Sequence, residues 1–111
     1  MLFNDLNDVS HSKRLLQKKI GLDLTVAIKK RYNQILACIS FFEIIQNGFG
    51  KPESLTGNLK GYYSLRLDAN KRLIIRPKSA DLAADSLKKC DTVIVKGVID
   101  YHGKGNNWII P

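Results

Sequence analysis

The sequence predicts an α+β fold in which an N-terminal antiparallel pair of helices packs on a small, largely antiparallel sheet. In the first half of the chain, apolar residues recur at three- and four-residue spacing; in the second half, they alternate with polar residues. Helices that precede strands, instead of alternating with them, are typical of α+β folds. A chain of 111 residues has the size of one domain, so we expect residues 1–111 to form a single unit.

The first half of the chain predicts two longer helices and a short third one. After Met1–Phe3, either an edge strand or a frayed end, the first helix covers residues 10–20. Asp23 is the expected N-cap of the second helix, along which one apolar stripe runs: Leu24, Ile28, Tyr32, Ile35, Leu36 and Ile39. Ser40 opens a Ser-x-x-Glu capping box, which predicts a break and a third helix over residues 41–46. The alternative is one unbroken helix.

A β-hairpin over residues 62–76 is the central feature of the second half. A three-residue connection at residues 69–71 pairs Leu67 with Leu73 and Leu65 with Ile75, and keeps one face apolar. A two-residue turn would instead pair Leu67 with a charged residue. Since strand neighbours point to opposite sides, the other face carries three arginines, and we call it the arginine face: Arg66, Arg72 and Arg76.

The rest of the chain predicts one more long strand between polar connections. Residues 49–58 indicate a loop, and residues 78–89 a connector with a helical turn at 80–87. The last strand, residues 91–102, is rich in β-branched residues. Regular alternation puts Tyr101 on the apolar face and Asp100 with His102 on the arginine face, unless a bulge at Gly97 exchanges them. Residues 104–111 form a tail extension whose apolar cluster, Trp108–Ile110, docks on the domain or on a partner.

Charge and composition favour a cytoplasmic protein that binds a polyanion. The net charge of +8, from 18 basic and 10 acidic residues, favours nucleic acid first and an acidic protein second. No apolar run approaches the roughly 18 residues that span a bilayer, and residues 1–8 lack the pattern of a signal peptide. Cys38 and Cys90 lie far apart without C-x-x-C spacing, so we expect neither a metal site nor a disulfide framework, and Cys38 is expected to be buried.

The arginine face has the residue types that RNA cleavage without a metal requires. Arginine donates hydrogen bonds in a planar fork that fits phosphate and can neutralise charge that develops there. His102 can exchange a proton near neutral pH, and Tyr62 or Tyr101 can stack on a base. Such a set permits attack of a 2′-hydroxyl on its neighbouring phosphate. The alternative is that these residues are solvated charges on an exposed sheet.

Three segments together resemble a known family more specifically than any one of them. They are Gly57–Leu67 (GNLKGYYSLRL), Asn70–Ile75 (NKRLII) and Val98–His102 (VIDYH). The shared pattern is a Gly-rich turn, an aromatic-Ser strand, a strand that opens with Arg and a closing Asp-Tyr-His. It resembles the HigB-like plasmid maintenance killer toxins of the RelE/ParE superfamily, and the helical pair before Leu55 fits as well.

The resemblance implies the toxin of a type II toxin–antitoxin system. Such a toxin is a metal-independent endoribonuclease without cofactors that cuts messenger RNA on the ribosome. Its partner is a cognate antitoxin, commonly a helix-turn-helix protein of the HigA type. The catalytic roles of the family carry over to Arg72, Asp100, Tyr101 and His102. Charge and position add three RNA- and phosphate-binding residues: Lys60, Arg66 and Arg76.

The chain departs from the family pattern at two places. Many members carry Lys just before the first Gly of the motif, where this chain has Thr56, and many end at the His, where this chain continues. Two other functions stay open: the closing Asp-Tyr-His argues against the first of them, and the two departures favour the second. One is a ParE-like gyrase poison, which would not need the terminal His. The other is a degenerate member that binds RNA or its antitoxin without cutting.

Overall fold

In the computed structural model, which describes residues 2–3, 21–101 and 107–110, helices pack on one face of a mostly antiparallel sheet. This arrangement confirms the α+β prediction. The described helices are α1 (Leu22–Ala37), α2 (Phe41–Asn47) and α3 (Ala84–Lys89). The predicted helix over residues 10–20, and with it the antiparallel pairing of two long helices, lies outside the described residues. None of the described helices is both long and apolar enough to cross a membrane.

The sheet brings together strands from both ends of the chain. Its described strands are β1 (Leu2–Phe3), β2 (Glu53–Ser54), β3 (Tyr63–Arg66), β4 (Lys71–Pro77), β5 (Thr92–Asp100) and β6 (Asn107–Ile110). Their order is β1-β5-β4-β3-β2, and β6 pairs with the C-terminal part of β5. Only β1 runs parallel to its neighbour among these pairs. The backbone of the tail at residues 107–110 therefore docks on the chain's own sheet, and β2 forms where the sequence predicted loop.

Local capping signals decide where the helices begin and end. The Ser40 hydroxyl accepts a hydrogen bond from the backbone N–H of Glu43, and Gly48 closes α2 in the left-handed conformation, at φ 73°. Both features confirm the predicted break after α1. The predicted N-cap is wrong, because Gly21 occupies the cap and Asp23 lies inside the first turn. Ile39, predicted for the apolar stripe, is 79% exposed because it lies beyond the end of α1.

The core lies between the helices and one face of the sheet. Its buried residues come from all three described helices and from β3, β4 and β5: Leu24, Ile28, Ile35, Phe41, Ile44, Leu65, Leu73, Ile75, Leu87, Val93, Val95 and Val98 are among them. Cys38 is buried in the same cluster, as predicted for a small apolar side chain. Each side chain of this size contributes roughly 1.5–3 kcal/mol when it is fully removed from water. These buried side chains therefore attach the helices to one face of the sheet.

The hairpin between β3 and β4 has a register two residues away from the predicted one. Leu65 pairs with Leu73, and Arg66 pairs with Arg72. The predicted pairing of Leu67 with Leu73 and of Leu65 with Ile75 is therefore wrong. The Asp68 carboxylate fixes the turn, since its Oδ1 accepts hydrogen bonds from the backbone N–H groups of residues 70 and 71, at 2.9 and 2.8 Å. A shift of two residues exchanges no faces, so the predicted faces of the hairpin are right.

A β-bulge in β5 exchanges the faces at the end of that strand. Ile75 pairs with Val95, whereas Ile74 pairs with Gly97, so Lys96 is an extra residue. Beyond the bulge Val98 joins the core, and Ile99 lies opposite Arg72 on the arginine face. Regular alternation, which put Ile99 on the core face, is therefore wrong for this segment. The bulge at Gly97, the alternative expectation, is confirmed.

Candidate functional site

The turn of the hairpin holds Arg72 on the arginine face. Its Nη1 donates hydrogen bonds to the backbone carbonyls of Asp68 and Lys71, both at 3.0 Å, and of Ala69 at 3.3 Å. Its Nη2 makes a longer contact with the carbonyl of Ala69, at 3.4 Å. A guanidinium carries five N–H donors in a fixed plane. Arg72 is therefore oriented by its own turn, and among the described residues its Nε makes no hydrogen bond, so this donor could meet a phosphate oxygen.

Tyr101 stands beside Arg72 because of the bulge in β5. Its backbone N–H donates to the carbonyl of Asn70 at 2.8 Å, which joins the end of β5 to the hairpin turn. The guanidinium carbon of Arg72 lies 5.2 Å from the centre of the Tyr101 ring. A cation over an aromatic face at this distance is attracted by the electrons of the ring. The structure thus brings together two of the predicted catalytic residues.

Arg66 pairs directly with Arg72 on the neighbouring strand, and a side chain of α1 binds its backbone. Its side chain is exposed. Its backbone N–H donates to the carbonyl of Gly50 at 2.7 Å, and its carbonyl accepts a hydrogen bond from Nε of Arg31 in α1 at 2.8 Å. Burial lowers the pKa of Arg31. The backbone of Arg66 is therefore clamped, while its cationic side chain is free to meet an anion.

Arg76 forms a second pair of a cation and an aromatic ring farther along β4. Its guanidinium carbon lies 5.8 Å from the centre of the Tyr62 ring. Within the described part of the chain, its buried Nε has no hydrogen-bond partner. A buried N–H without an acceptor is costly, and a phosphate oxygen would satisfy it. Lys60, in the turn before β3, is exposed and adds positive charge two residues before Tyr62.

Buried side chains lie between these cations, and we call them the apolar floor. Ile74 and Ile99 are fully buried, although they lie on the arginine face and outside the core cluster beneath the helices. Ser64, directly opposite Ile74, is also buried. Arg72 and Arg76 are four residues apart on β4, which separates their backbones by ~13 Å. Such a face can hold more than one phosphate of a chain.

Two predicted catalytic residues are not brought to this face by the described structure. Asp100 pairs with Lys71 and, after the bulge, belongs to the opposite side of the strand from Ile99 and Tyr101. The expectation that Asp100 shares the arginine face is therefore corrected, because the extra residue at Lys96 reverses the alternation. His102 lies outside the described residues, so its predicted role stays a prediction.

Sequence reasoning missed two contributors to the site. Arg31 in α1 binds the backbone carbonyl of Arg66, and no pattern in the sequence indicates such a long-range contact. Trp108 pairs with Ile99 at the edge of the arginine face. Residues 108–110 are all apolar, so their sequence contains no alternation from which the side of Trp108 could have been assigned.

The site as described suits anion binding better than metal binding. Within residues 2–3, 21–101 and 107–110, no three His, Cys, Asp or Glu side chains converge as a metal centre would need. Arginines with fixed planes, aromatic rings beside them and an apolar floor are the components that bind the phosphates and bases of a single-stranded nucleic acid.

Comparison with known proteins defines the class of this protein as a toxin of a bacterial type II toxin–antitoxin system. The matching family model is described as "YoeB-like toxin of bacterial type II toxin-antitoxin system", and it covers residues 23–89. The chain belongs to this YoeB-like toxin family. The class of type II toxin agrees with the sequence-based expectation, whereas the HigB-like subtype is replaced by the YoeB-like one.

Two relatives illustrate the similarity. Toxin YoeB of Streptomyces coelicolor is 40% identical over 55 residues, which span 50% of this chain and 63% of that protein. A solved structure described as a YoeB–YefM complex from Staphylococcus aureus is 20% identical, covers 92% of this chain and 94% of its own, and superposes with a TM-score of 0.51. At that identity, the second similarity supports the fold alone.

Proposed function

We propose that this toxin is a metal-independent endoribonuclease that cuts messenger RNA on the translating ribosome and so arrests growth. The observation that carries the proposal is the placement of Arg72 beside Tyr101, 5.2 Å from guanidinium carbon to ring centre, with Arg66 directly across the sheet. A phosphate held by the arginines would lie next to a phenol and to an aromatic surface for a base. The net charge of +8 adds attraction for a polyanion.

The proposed reaction is an internal transesterification. A general base takes the proton of the ribose 2′-hydroxyl, and the 2′-oxygen forms a bond to the adjacent phosphorus. The bond from phosphorus to the 5′-oxygen breaks, and a general acid protonates that oxygen. The products are a 2′,3′-cyclic phosphate and a 5′-hydroxyl. Arg72 and Arg76 would stabilise the negative charge that develops on the phosphate oxygens in the transition state.

We propose roles for the remaining predicted residues as well. His102, one residue after Tyr101, is proposed as the acid or base. Asp100 is proposed as a positioning residue, because it pairs with Lys71 and lies on the side of β5 opposite to Ile99 and Tyr101. Lys60 and Arg66 are proposed to bind flanking phosphates from the exposed rim.

The proposed partner is a cognate antitoxin that neutralises the toxin. The Staphylococcus aureus structure is described as a complex of YoeB with YefM, which favours a YefM-like antitoxin over the HigA-like helix-turn-helix protein that the sequence suggested. Action on ribosomes would place the protein in the cytoplasm.

Primer extension on a messenger RNA in a translating extract tests the proposal. We expect wild-type protein to produce cuts at defined codon positions, and Arg72→Ala and His102→Ala to produce none. Lys89→Ala, an exposed substitution in α3 on the helix side, is the control and should cut like wild type. An intact message with wild-type protein, together with gyrase–DNA cleavage complexes in a parallel assay, would favour the gyrase poison instead.

A further inference from the structure

Trp108, the only tryptophan of the sequence, extends the arginine face by one strand. It pairs with Ile99 across β6 and β5, and it remains 38% exposed. Ile109, its neighbour, packs on the core cluster under the helices. Because adjacent residues of a strand point to opposite sides, Trp108 lies on the side of the sheet that carries Arg72.

Lys96 completes a third pair of a cation and an aromatic ring on this side. Its Nζ lies 5.9 Å from the centre of the Trp108 ring. Lys96 is the extra residue of the bulge and is exposed. The same bulge that turns Tyr101 towards Arg72 therefore also presents an ammonium group beside Trp108.

Trp108 and Arg72 lie in one row of cross-strand neighbours. The row of cross-strand neighbours through the site runs from Trp108 to Ile99, Arg72 and Arg66. Neighbouring strands lie ~4.8 Å apart, and Trp108 is two strands away from Arg72 in this row, so their backbones are ~10 Å apart. A chain whose phosphate meets Arg72 thus has an exposed indole close by, at the side of the sheet opposite Arg66.

Single-stranded RNA is the occupant that this chemistry fits. Its bases have two exposed faces that stack on aromatic side chains, and its phosphates need cations beside those rings. An apolar peptide would leave the cations beside the rings without anionic partners. The positive charge of the chain points in the same direction.

We propose that Trp108 and Lys96 form a base-stacking subsite for single-stranded RNA, next to the phosphate that Arg72 holds. The indole receives a base and the ammonium group neutralises the neighbouring phosphate. The subsite rests on the proposed nuclease function, because it binds the same RNA strand, and it gives the tail a role in substrate binding.

The single tryptophan makes the test direct. The full-length toxin is titrated with a single-stranded oligoribonucleotide whose 2′-hydroxyls are methylated, so that it binds without being cut. We expect saturable quenching of the tryptophan emission. In anisotropy titrations of the labelled oligonucleotide, Trp108→Ala should raise Kd about fivefold to a hundredfold, the range for loss of one stacked base.

Two further variants keep the result independent of folding. Trp108→Phe retains a stacking ring and should stay within about threefold of wild type. Lys96→Gln changes an exposed side chain and should raise Kd and flatten its salt dependence, since one phosphate contact is lost. Lys88→Gln is the matched control, because Lys88 pairs with Phe42 in the same way, at 5.0 Å, but on the helix side. It should leave Kd unchanged.

The outcomes separate the subsite from the nuclease function. Absence of quenching would overturn the subsite even if messenger RNA is cut. The same conclusion would follow if wild type, Lys96→Gln, Trp108→Phe and a folded Trp108→Ala protein all had the same Kd. Quenching by the antitoxin but not by RNA would also overturn it and make the surface a protein interface. RNA quenching by a protein that cuts no message would support the subsite while the nuclease proposal fails.

Discussion

The guanidinium carbon of Arg72, in β4, lies 5.2 Å from the ring centre of Tyr101, the residue that follows the end of β5. Two irregularities produce this contact. The Asp68 turn directs Arg72 onto the carbonyls of its own hairpin, and the extra residue at Lys96 turns Tyr101 to the same side. The site is therefore made where the sheet departs from regular pairing.

Replacing Arg72 tests its contribution to phosphate binding. Arg72→Ala should lower the cleavage rate by at least ~10²-fold, as expected when a preorganised donor to a developing charge is removed. Arg72→Lys should retain only part of the wild-type cleavage rate, because an ammonium group lacks the planar fork of a guanidinium. The lost hydrogen bonds to the turn should reduce the free energy of unfolding by about 1 kcal/mol. Urea denaturation and single-turnover cleavage measure the two effects, and a near-wild-type rate in Arg72→Ala would contradict the assignment.

Two substitutions at Tyr101 separate its ring from its hydroxyl. Tyr101→Phe keeps the ring beside Arg72, so RNA affinity should stay within about twofold, while the rate should fall roughly 10²-fold if the hydroxyl moves a proton. Tyr101→Ala should weaken both. Binding and single-turnover titrations compare the variants. If Tyr101→Phe cuts at the wild-type rate, the hydroxyl moves no proton, and only the ring of Tyr101 contributes to function.

Two glycines with similar backbone angles test the clamp on Arg66. Gly50 has φ +66°, and a Cβ there would lie 2.7 Å from Nε of Arg31 and 3.0 Å from the backbone nitrogen of Arg66. Gly57 has φ +64° with nothing within 4 Å of such a Cβ. Gly57→Ala should therefore cost only the backbone term of about 1–2 kcal/mol, and Gly50→Ala more. Thermal unfolding measures both; equal losses would show that the clamp is not tight.

The surroundings of Asp68 predict that its contribution to the stability of the fold depends on pH. Burial raises the pKa of this carboxyl, but hydrogen bonds from the backbone N–H groups of Asn70 and Lys71 and the Lys71 ammonium group outweigh it, and the pKa lies below its ordinary value of 3.8. A lowered pKa means that the carboxylate stabilises the fold above its unfolded pKa and loses this effect as the pH falls through the folded one.

Comparison of wild type with Asp68→Ala measures this effect. At neutral pH, the variant should be less stable by about 1 kcal/mol, because the turn loses its hydrogen-bond acceptor. The difference should shrink as the pH is lowered below 3.8. A difference that grows in acid would contradict the lowered pKa.

The sequence predicted the faces of the sheet better than its pairing. Alternation put Arg66, Arg72 and Arg76 on one side, and this was right because a register error of two residues exchanges no faces. The register itself depends on hydrogen bonds of the Asp68 side chain, which alternation does not contain. The bulge was visible only as a glycine in a strand, so the side of Tyr101 stayed open until its position beside Arg72 was known.

The identity of the RNA ends tests the central claim most directly. Fragments cut in the translating extract by wild-type toxin are ligated to an adaptor before and after treatment with polynucleotide kinase. Attack by the 2′-hydroxyl predicts 5′-hydroxyl ends, which ligate only after phosphorylation, and 2′,3′-cyclic phosphates on the upstream fragments. Arg72→Ala should yield neither product. Ends that ligate without kinase, and therefore carry a 5′-phosphate, would contradict the proposed chemistry.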